Sequence, residues 1–263
     1  MKYALLGKKL SHSYSAIIHK EILKDLNIDA EYELLEISEE EIESVIDLLK
    51  KGIYSGFNVT IPYKKTVMKY LDEISFEALS IGSVNTIVYR NNKLIGYNTD
   101  YYGFYNTLKF HNIDIINKNC YILGTGGSSL AINKVLLDLG GNVTYVSRTP
   151  NQDNVISYEE LKERKIDVLV NTTPVGMYPN MGVSPVSKQV AQNSEVVVDI
   201  IYNPRKTQLL LDANSEIDGL YMLVGQAIKA EEIWQDKEYN GSIEELLKRI
   251  ELLIWIILEE FFK

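Results

Sequence analysis

Cysteine is nearly absent from this chain: Cys120 is the sole one, so no intrachain disulfide can form and a reducing compartment is compatible. Long apolar runs are missing too. The longest, Leu252 to Leu258, is much too short to span a bilayer. The opening Met1-Lys2-Tyr3-Ala4-Leu5-Leu6 is interrupted by Gly7 and two lysines, so it lacks the apolar core of a signal peptide. Positive charge is in deficit, with 27 basic against 36 acidic residues and a net charge of -9, which leaves no electrostatic footprint for nucleic acid. Any anionic ligand must therefore be held by local groups. What is present is a hydrophobic fraction of 46%, ample for conventional cores, in 263 residues that suggest about two domains. The expectation is a soluble cytoplasmic protein, monomer or homodimer, with a small-molecule substrate and no metal, nucleic-acid or membrane partner.

The most informative stretch is Gly56-Phe57-Asn58-Val59-Thr60-Ile61-Pro62-Tyr63-Lys64-Lys65. Its alternation predicts a strand with Phe57, Val59 and Ile61 on one face and Asn58 and Thr60 on the other. Pro62 ends the strand and suits the first turn of a helix, which puts Lys64 in that turn, beside the positive end of the helix dipole. A lone lysine there reads as a solvated surface residue. An amide, a hydroxyl and an amine at one strand end, however, can together grip a polyhydroxylated ligand. Further on, two short apolar runs flank Asn91-Asn92, whose side chains tolerate positive φ, and predict a β-hairpin that ends in Asn98-Thr99-Asp100.

Three motifs in this order, G-F-N-V-T-I-P-Y-K at 56–64, V-N-T-I at 84–87 and G-Y-N-T-D-Y-Y-G at 96–103, resemble shikimate dehydrogenase. The resemblance runs along nearly the whole chain. It implies an α/β fold with an N-terminal α/β substrate domain, a Rossmann-like dinucleotide-binding domain, and a C-terminal helix that packs back on the first domain. The domain limits it suggests are 1–100, completed by 236–263, and 101–235.

Ahead of the first motif, Tyr3 to Leu6 reads as a strand, and Ser15 as the N-cap of a helix carrying Ile18, Ile22 and Leu26 at helical spacing. Three serines and a histidine crowd this loop. They serve turn and cap chemistry, or they bind a carboxylate, because hydroxyls and free N–H groups at a helix start favour an anion. The resemblance implies the second role for Ser13 and Ser15, with Ala16 where proline is usual; His12 reads as structural. Tyr32 to Leu35 is a second strand and Glu39 to Lys50 a helix striped by Ile42, Val45, Ile46 and Leu49. Asp100 opens a helix to His111, with Phe104 and Leu108 on one face; it reads as an N-cap, a catalytic carboxylate, or both.

The second domain opens on a strand from Cys120 to Leu123, glycines at 124, 126 and 127, and a helix from Ser129 to Leu139. This is the context of a dinucleotide fingerprint, in which glycine lets the turn close and backbone N–H groups approach a pyrophosphate. Ser129 holds the third-glycine position, and the run resembles the family's G-x-G-G-[AS]-[AS], which implies cofactor contacts at Gly124, Gly126, Gly127 and Ser128. After the strand Val143 to Val146 comes Ser147-Arg148-Thr149. An arginine here accommodates a 2′-phosphate where NAD enzymes place an acid, so Arg148, with Thr149, argues for NADP, unless it is simply an exposed arginine at a strand end. Gln152 stands near the family's second basic position, and residues 150–165 read as short of a full helix and strand, which leaves the adenosine end loosely held.

Ile166 to Val170 is a buried strand leading to Asn171-Thr172, which the resemblance puts on the cofactor side. Val196 to Pro204 with Thr207 matches D-x-x-Y-x-P-x-x-T. Tyr202 is a core residue with a satisfied hydroxyl or, by resemblance, a substrate-carboxylate contact. The segment Gly219 to Ala227, read as the last of this domain, by resemblance brings Gln226 to the substrate and the backbone near Met222 to the nicotinamide. From Ser242 onward a broad apolar stripe, Ile243 through Ile257, requires a packing partner.

The implied activity is the NADP-linked, reversible reduction of 3-dehydroshikimate to shikimate, a step toward aromatic amino acids. In it Lys64 donates and accepts the proton and Asp100 orients it, while Asn58, Thr60 and Asn85 hold the ring hydroxyls, in a cleft between the domains. The alternatives are a quinate/shikimate dehydrogenase using NAD, a methylene-tetrahydrofolate dehydrogenase, which fits the N-T-D and S-x-S segments less well, and a ligand sensor descended from the enzyme.

Overall fold

The computed structural model describes residues 1–10, 13–150 and 153–261, with side chains described to residue 256. His12 and Gln152 lie outside the described residues. Two compact units emerge, one of residues 1–102 with 224–263 and one of residues 103–223.

The first unit begins with β1 (Lys2–Gly7), α1 (Ser15–Asp25), β2 (Glu31–Glu36), a 3-10 turn at Glu39–Glu41 and α2 (Ile42–Lys50). It continues with β3 (Gly56–Val59), a 3-10 helix at Thr66–Tyr70, β4 (Glu73–Ile74), α3 (Phe76–Ile81) and the hairpin β5 (Thr86–Arg90) and β6 (Lys93–Tyr97). Asn91 and Asn92 take φ of 52° and 61°, which closes the hairpin as their side chains allow. The sheet order is β2-β1-β3-β5-β6-β4, with β5 antiparallel to both neighbours. Because the chain leaves β1 to one side and returns on the other, the loops after β1 and β3 open at the same sheet edge. The register adds the start of β5 and the end of β6, since Asn58 pairs with Thr86 and Thr86 with Tyr97.

Phe57 and Val59 are buried in a core with Ile42, Ile46 and Leu49. Truncating Phe57 to alanine would cost about 3–5 kcal/mol. Asn58 faces the other way, as the alternation predicted. The strand stops at Val59, however, and Ile61 is 69% exposed. Nor does Pro62 start a helix: residues 61–65 form successive turns, and Lys64 lies in them, before the 3-10 helix. The reason is that Tyr63 and Val67, both buried, are drawn into the core, with the Tyr63 hydroxyl donating to the Ile37 carbonyl at 2.7 Å. On the opposite face of the sheet, Trp234 stacks on Tyr3 with ring centroids 4.6 Å apart and donates its Nε1–H to the Ile87 carbonyl. A Cβ at Gly56 would meet that indole nitrogen at 2.2 Å, so the strand that carries Asn58 must begin with glycine.

The chain passes to the second unit within α4 (Thr99–Phe110). There follow β7 (Asn119–Leu123), α5 (Gly127–Asp138), β8 (Asn142–Val146), β9 (Val155–Ile156), α6 (Tyr158–Leu161), β10 (Val168–Asn171), α7 (Lys188–Asn193), β11 (Val196–Asp199), α8 (Gln208–Asp212) and β12 (Glu216–Ile217). All pairings are parallel, in the order β12-β11-β10-β7-β8-β9, which is the 3-2-1-4-5-6 order of a dinucleotide-binding sheet. Residues 150–165 are thus less bare than the sequence suggested. A two-residue strand and one helical turn, closed by a Ser157–Glu160 capping box, complete the sheet edge.

The chain re-enters the first unit within α9 (Leu220–Gln235) and ends in α10 (Ile243–Phe261). Residues 224–235, expected in the second domain, cluster with the first unit, because Ala230 and Trp234 join the core under β1 and β5. In α10, Leu246, Ile250 and Ile254 are buried, and Arg249 donates to Asp25 of α1 at 2.6 Å, so this helix docks on α1. No helix among the described residues is long and apolar enough to cross a membrane.

Candidate active site

The sheet edge of the first unit gathers a polar cluster. Lys64 donates through Nζ to Asp100 Oδ2 at 2.5 Å, although the two residues are far apart in sequence, one in the turns after β3 and the other in the first turn of α4. Their side chains are 14% and 11% exposed, so water screens the pair only in part. Asn85 Nδ2 donates to the other carboxylate oxygen at 2.9 Å. Asp100 does not cap α4. Asn98 Oδ1 accepts from the Tyr101 N–H at 3.4 Å instead, which leaves both Asp100 oxygens for Lys64 and Asn85.

Behind this pair the Asn85 Oδ1 accepts from the Thr99 N–H at 2.7 Å and from the Thr86 hydroxyl at 3.1 Å. Asn58 Nδ2 donates to Thr86 Oγ1 at 3.0 Å and to the Asn85 carbonyl at 3.3 Å, while its Oδ1 accepts from the Tyr32 hydroxyl at 2.7 Å. Thr99 Oγ1 reaches Gln226 Oε1 at 3.4 Å. Ser13 and Ser15, both half-buried, join their hydroxyls at 3.1 Å, and the Ser15 N–H donates to Ser13 Oγ at 3.2 Å. Ser15 is the first residue of α1 rather than its cap. Burial pushes the pKa of Tyr32, on the neighbouring β2, well above that of an ordinary tyrosine. Thr60 follows β3, half-buried, with its N–H on the Leu6 carbonyl at 2.9 Å. The structure therefore brings Asn58, Asn85, Lys64, Asp100 and Gln226 into one hydrogen-bonded cluster through Thr86 and Thr99, and pairs Ser13 with Ser15 at the start of α1.

Tyr202, half-buried after β11, and Met222, buried in the first turn of α9, belong to the second unit. There Gly124 has φ +95°, and a Cβ on it would meet the Thr173 methyl at 2.9 Å, so the turn after β7 requires glycine. Gly126 is the N-cap of α5 with no side-chain cap, and a Cβ at Gly126 or Gly127 would meet nothing within 4 Å. Open space thus borders the first-turn N–H groups, at the end of the sheet where β7 and β10 part. These donors fit a pyrophosphate. Ser128 is half-buried in the first turn of α5, and the glycine turn is tied to the end of β8 by Gly124 N–H donating to the Val146 carbonyl at 2.9 Å. Arg148 and Thr149, just past β8, are exposed.

Beside the turn, Asn171 donates to Asp199 Oδ1 at 3.0 Å and accepts from the Thr173 N–H and hydroxyl. Thr172 Oγ1 donates to the Leu123 carbonyl at 2.7 Å. Both side chains are occupied inside the unit and shape the loop. Asp199 accepts in addition from the Ile201 N–H and the Thr207 hydroxyl, and burial pushes its carboxyl up to about 6 against the pull of those bonds.

The site residues missed in the sequence fall in two kinds. Thr86, Asn98, Thr99 and Asp199 sit inside motifs already quoted, so the signal was present. Tyr32 has none, since only β2 lying beside β1 brings it to Asn58.

Residues 5–87 match the family model described as the shikimate dehydrogenase substrate binding domain. The shikimate dehydrogenase (NADP(+)) of Clostridium beijerinckii is 46% identical over 254 residues, which are 92% of this chain and 94% of that one. The crystal structure of shikimate dehydrogenase 1 from Peptoclostridium difficile is 46% identical, with a TM-score of 0.87 over 95% of this chain and 98% of that one. Shikimate 5-dehydrogenase from Thermus thermophilus, solved in complex with NADP(H) and shikimate, is 29% identical, with a TM-score of 0.85 over 95% and 99%. Identity of this size along nearly the full length of both chains, on a shared architecture, means that the chain belongs to the shikimate dehydrogenase family.

Proposed function

We propose that the protein is an NADP-dependent shikimate dehydrogenase, interconverting 3-dehydroshikimate and shikimate on the route to aromatic amino acids. The observation that carries this reading is the Lys64–Asp100 contact, fixed from behind by Asn85, at a sheet edge rich in hydroxyl and amide groups. The bound nicotinamide supplies the hydride. Lys64 gives a proton to the ring oxygen as the ketone becomes an alcohol, and takes it back in the reverse direction. Asp100 holds the ammonium in place and accepts from a neighbouring ring hydroxyl. Asn58, Thr60, Asn85 and Gln226 orient the ring, and Ser13 and Ser15 hold its carboxylate, with Tyr202 as a further carboxylate contact.

In the second unit, the N–H groups at Gly126, Gly127 and Ser128 receive the pyrophosphate, Arg148 and Thr149 the 2′-phosphate, and the Asn171-Thr172 loop and the Met222 backbone the nicotinamide end. The first unit is then the substrate domain and the second the cofactor domain. The enzyme acts in the cytoplasm on small molecules alone, as a monomer or homodimer, a choice that light scattering on the eluting peak resolves. The test of function is absorbance at the reduced-nicotinamide band with shikimate or quinate, each with NADP or NAD. Turnover with shikimate and NADP is expected; silence in all four mixtures with measurable shikimate binding would replace the enzyme by a sensor.

A further inference from the structure

The hydrogen bonds that join Tyr32 to the groups around Lys64 can each be given a direction. Asn58 Nδ2 donates to a backbone carbonyl, that of Asn85, so the amide cannot be turned around and its Oδ1 must face Tyr32. An amide oxygen only accepts, so the tyrosine hydroxyl donates, at 2.7 Å. Donation then runs one way: Tyr32 to Asn58, Asn58 to Thr86, Thr86 to Asn85, and Asn85 to the Asp100 carboxylate. Such chains strengthen each member by polarisation. The Tyr32–Asn58 hydrogen bond is the bridge from β2 to the groups around Lys64.

Tyr32 is itself held firmly. Its ring stacks on His19 at 4.1 Å with planes 12° apart. His19 is fully buried, and its Nδ1 lies 2.7 Å from Glu231 Oε1 of α9, which is also fully buried. Gln235 donates to the other oxygen of Glu231 at 3.1 Å, and the Trp234 ring lies 5.4 Å from His19. His19 Nε2 has no hydrogen-bond partner among the described residues, so Glu231 is the polar tether of that ring. The arrangement joins α1, β2 and α9 directly beneath the cluster.

We propose that Tyr32 is a positioning residue for the substrate. Its hydroxyl fixes the direction of the hydroxyl-binding Asn58 amide, so that the ring is held in a single orientation. This rests on the reading of the site given above. It differs from a packing role, because the ring alone suffices to stack on His19.

The test is Tyr32→Phe, which keeps the ring and removes the bridge, measured by steady-state kinetics, shikimate titration calorimetry and thermal unfolding. The expected result is a KM and a Kd for shikimate raised about tenfold, the scale of one lost buried hydrogen bond, with kcat and the KM for NADP within about twofold. Combining it with Asn58→Ala should weaken shikimate binding by less than the product of the two single effects, because both cut the same connection. Shikimate affinity unchanged within about twofold overturns the proposal. So does a uniform loss in kcat, both KM values and melting temperature, which is the mark of a packing defect, or full multiplicativity in the double variant. Wild-type protein that binds shikimate without turning it over refutes the enzymatic reading alone, since the calorimetry still reads the bridge; no shikimate binding at all refutes both.

Discussion

Lys64→Ala separates chemistry from architecture at the centre of the site. Two losses are expected. The first is the proposed proton donor, worth about 10²–10⁴ in rate, or roughly 3–5 kcal/mol of barrier. The second is the ion pair with Asp100. With side chains 14% and 11% exposed, the pair lies between a surface bridge and a fully buried one, so its rupture costs about 1–3 kcal/mol of stability. Asp100 keeps the Asn85 donor at 2.9 Å, which limits the damage, and a domain with about 5–15 kcal/mol in hand stays folded. The assay is NADPH formation from shikimate, with the melting temperature measured on the same sample. The kcat should fall at least a hundredfold, about the low end of general acid–base catalysis, while the KM for shikimate moves by only a few fold. Methylamine, small enough for the space the side chain leaves, should restore part of the rate. A folded variant with kcat within about threefold of wild type, or one whose lost rate follows lost folded fraction, refutes the assignment of the proton to Lys64.

Other perturbations read other parts of the molecule. Ser13→Ala removes a hydroxyl from the proposed carboxylate grip and should raise the KM for shikimate about tenfold with kcat nearly unchanged. Arg148→Ala should weaken NADP by roughly 1.5–3 kcal/mol, the worth of a charge-assisted bond, and leave NAD unaffected; equal losses for both cofactors in parallel initial rates would remove the arginine from the 2′-phosphate. Asp199 predicts a pH effect on stability, with its folded-state carboxyl pushed from 3.8 up to about 6 by burial. Because the folded value is the higher one, its contribution is fully present below pH 3.8 and falls as pH rises, with the loss complete above about 6. Relative to Asp199→Asn, the wild type should lose about 3 kcal/mol of stability across that window. Parallel melting curves against pH for the two proteins would contradict it.

The comparison of sequence with structure divides along the range of the forces involved. Period-two alternation set Phe57 and Val59 against Asn58, and the Asn91-Asn92 pair set the hairpin; both survive folding unchanged because strand geometry and positive φ are properties of a few adjacent residues. The glycine turn was legible for the same reason, as Gly124 is required by its own φ and by the loop that meets it. Local rules failed where a distant core outweighed them. Pro62 was expected to open a helix, but the burial of Tyr63 and Val67 turned that segment into tight turns. Asp100 looked like a cap until Asn98 took that place.

What the amino-acid order determined by itself was the kinds of chemical group available and the sheet edge that each segment would present. The tertiary structure alone decided which of those groups touch: that Lys64 meets Asp100, that β2 delivers Tyr32 to Asn58, and that His19 finds Glu231 in α9. Hydrogen bonds act over about 3 Å, whereas these partners are separated by long stretches of chain, so their meeting is fixed by strand order and register and by nothing in the neighbouring residues.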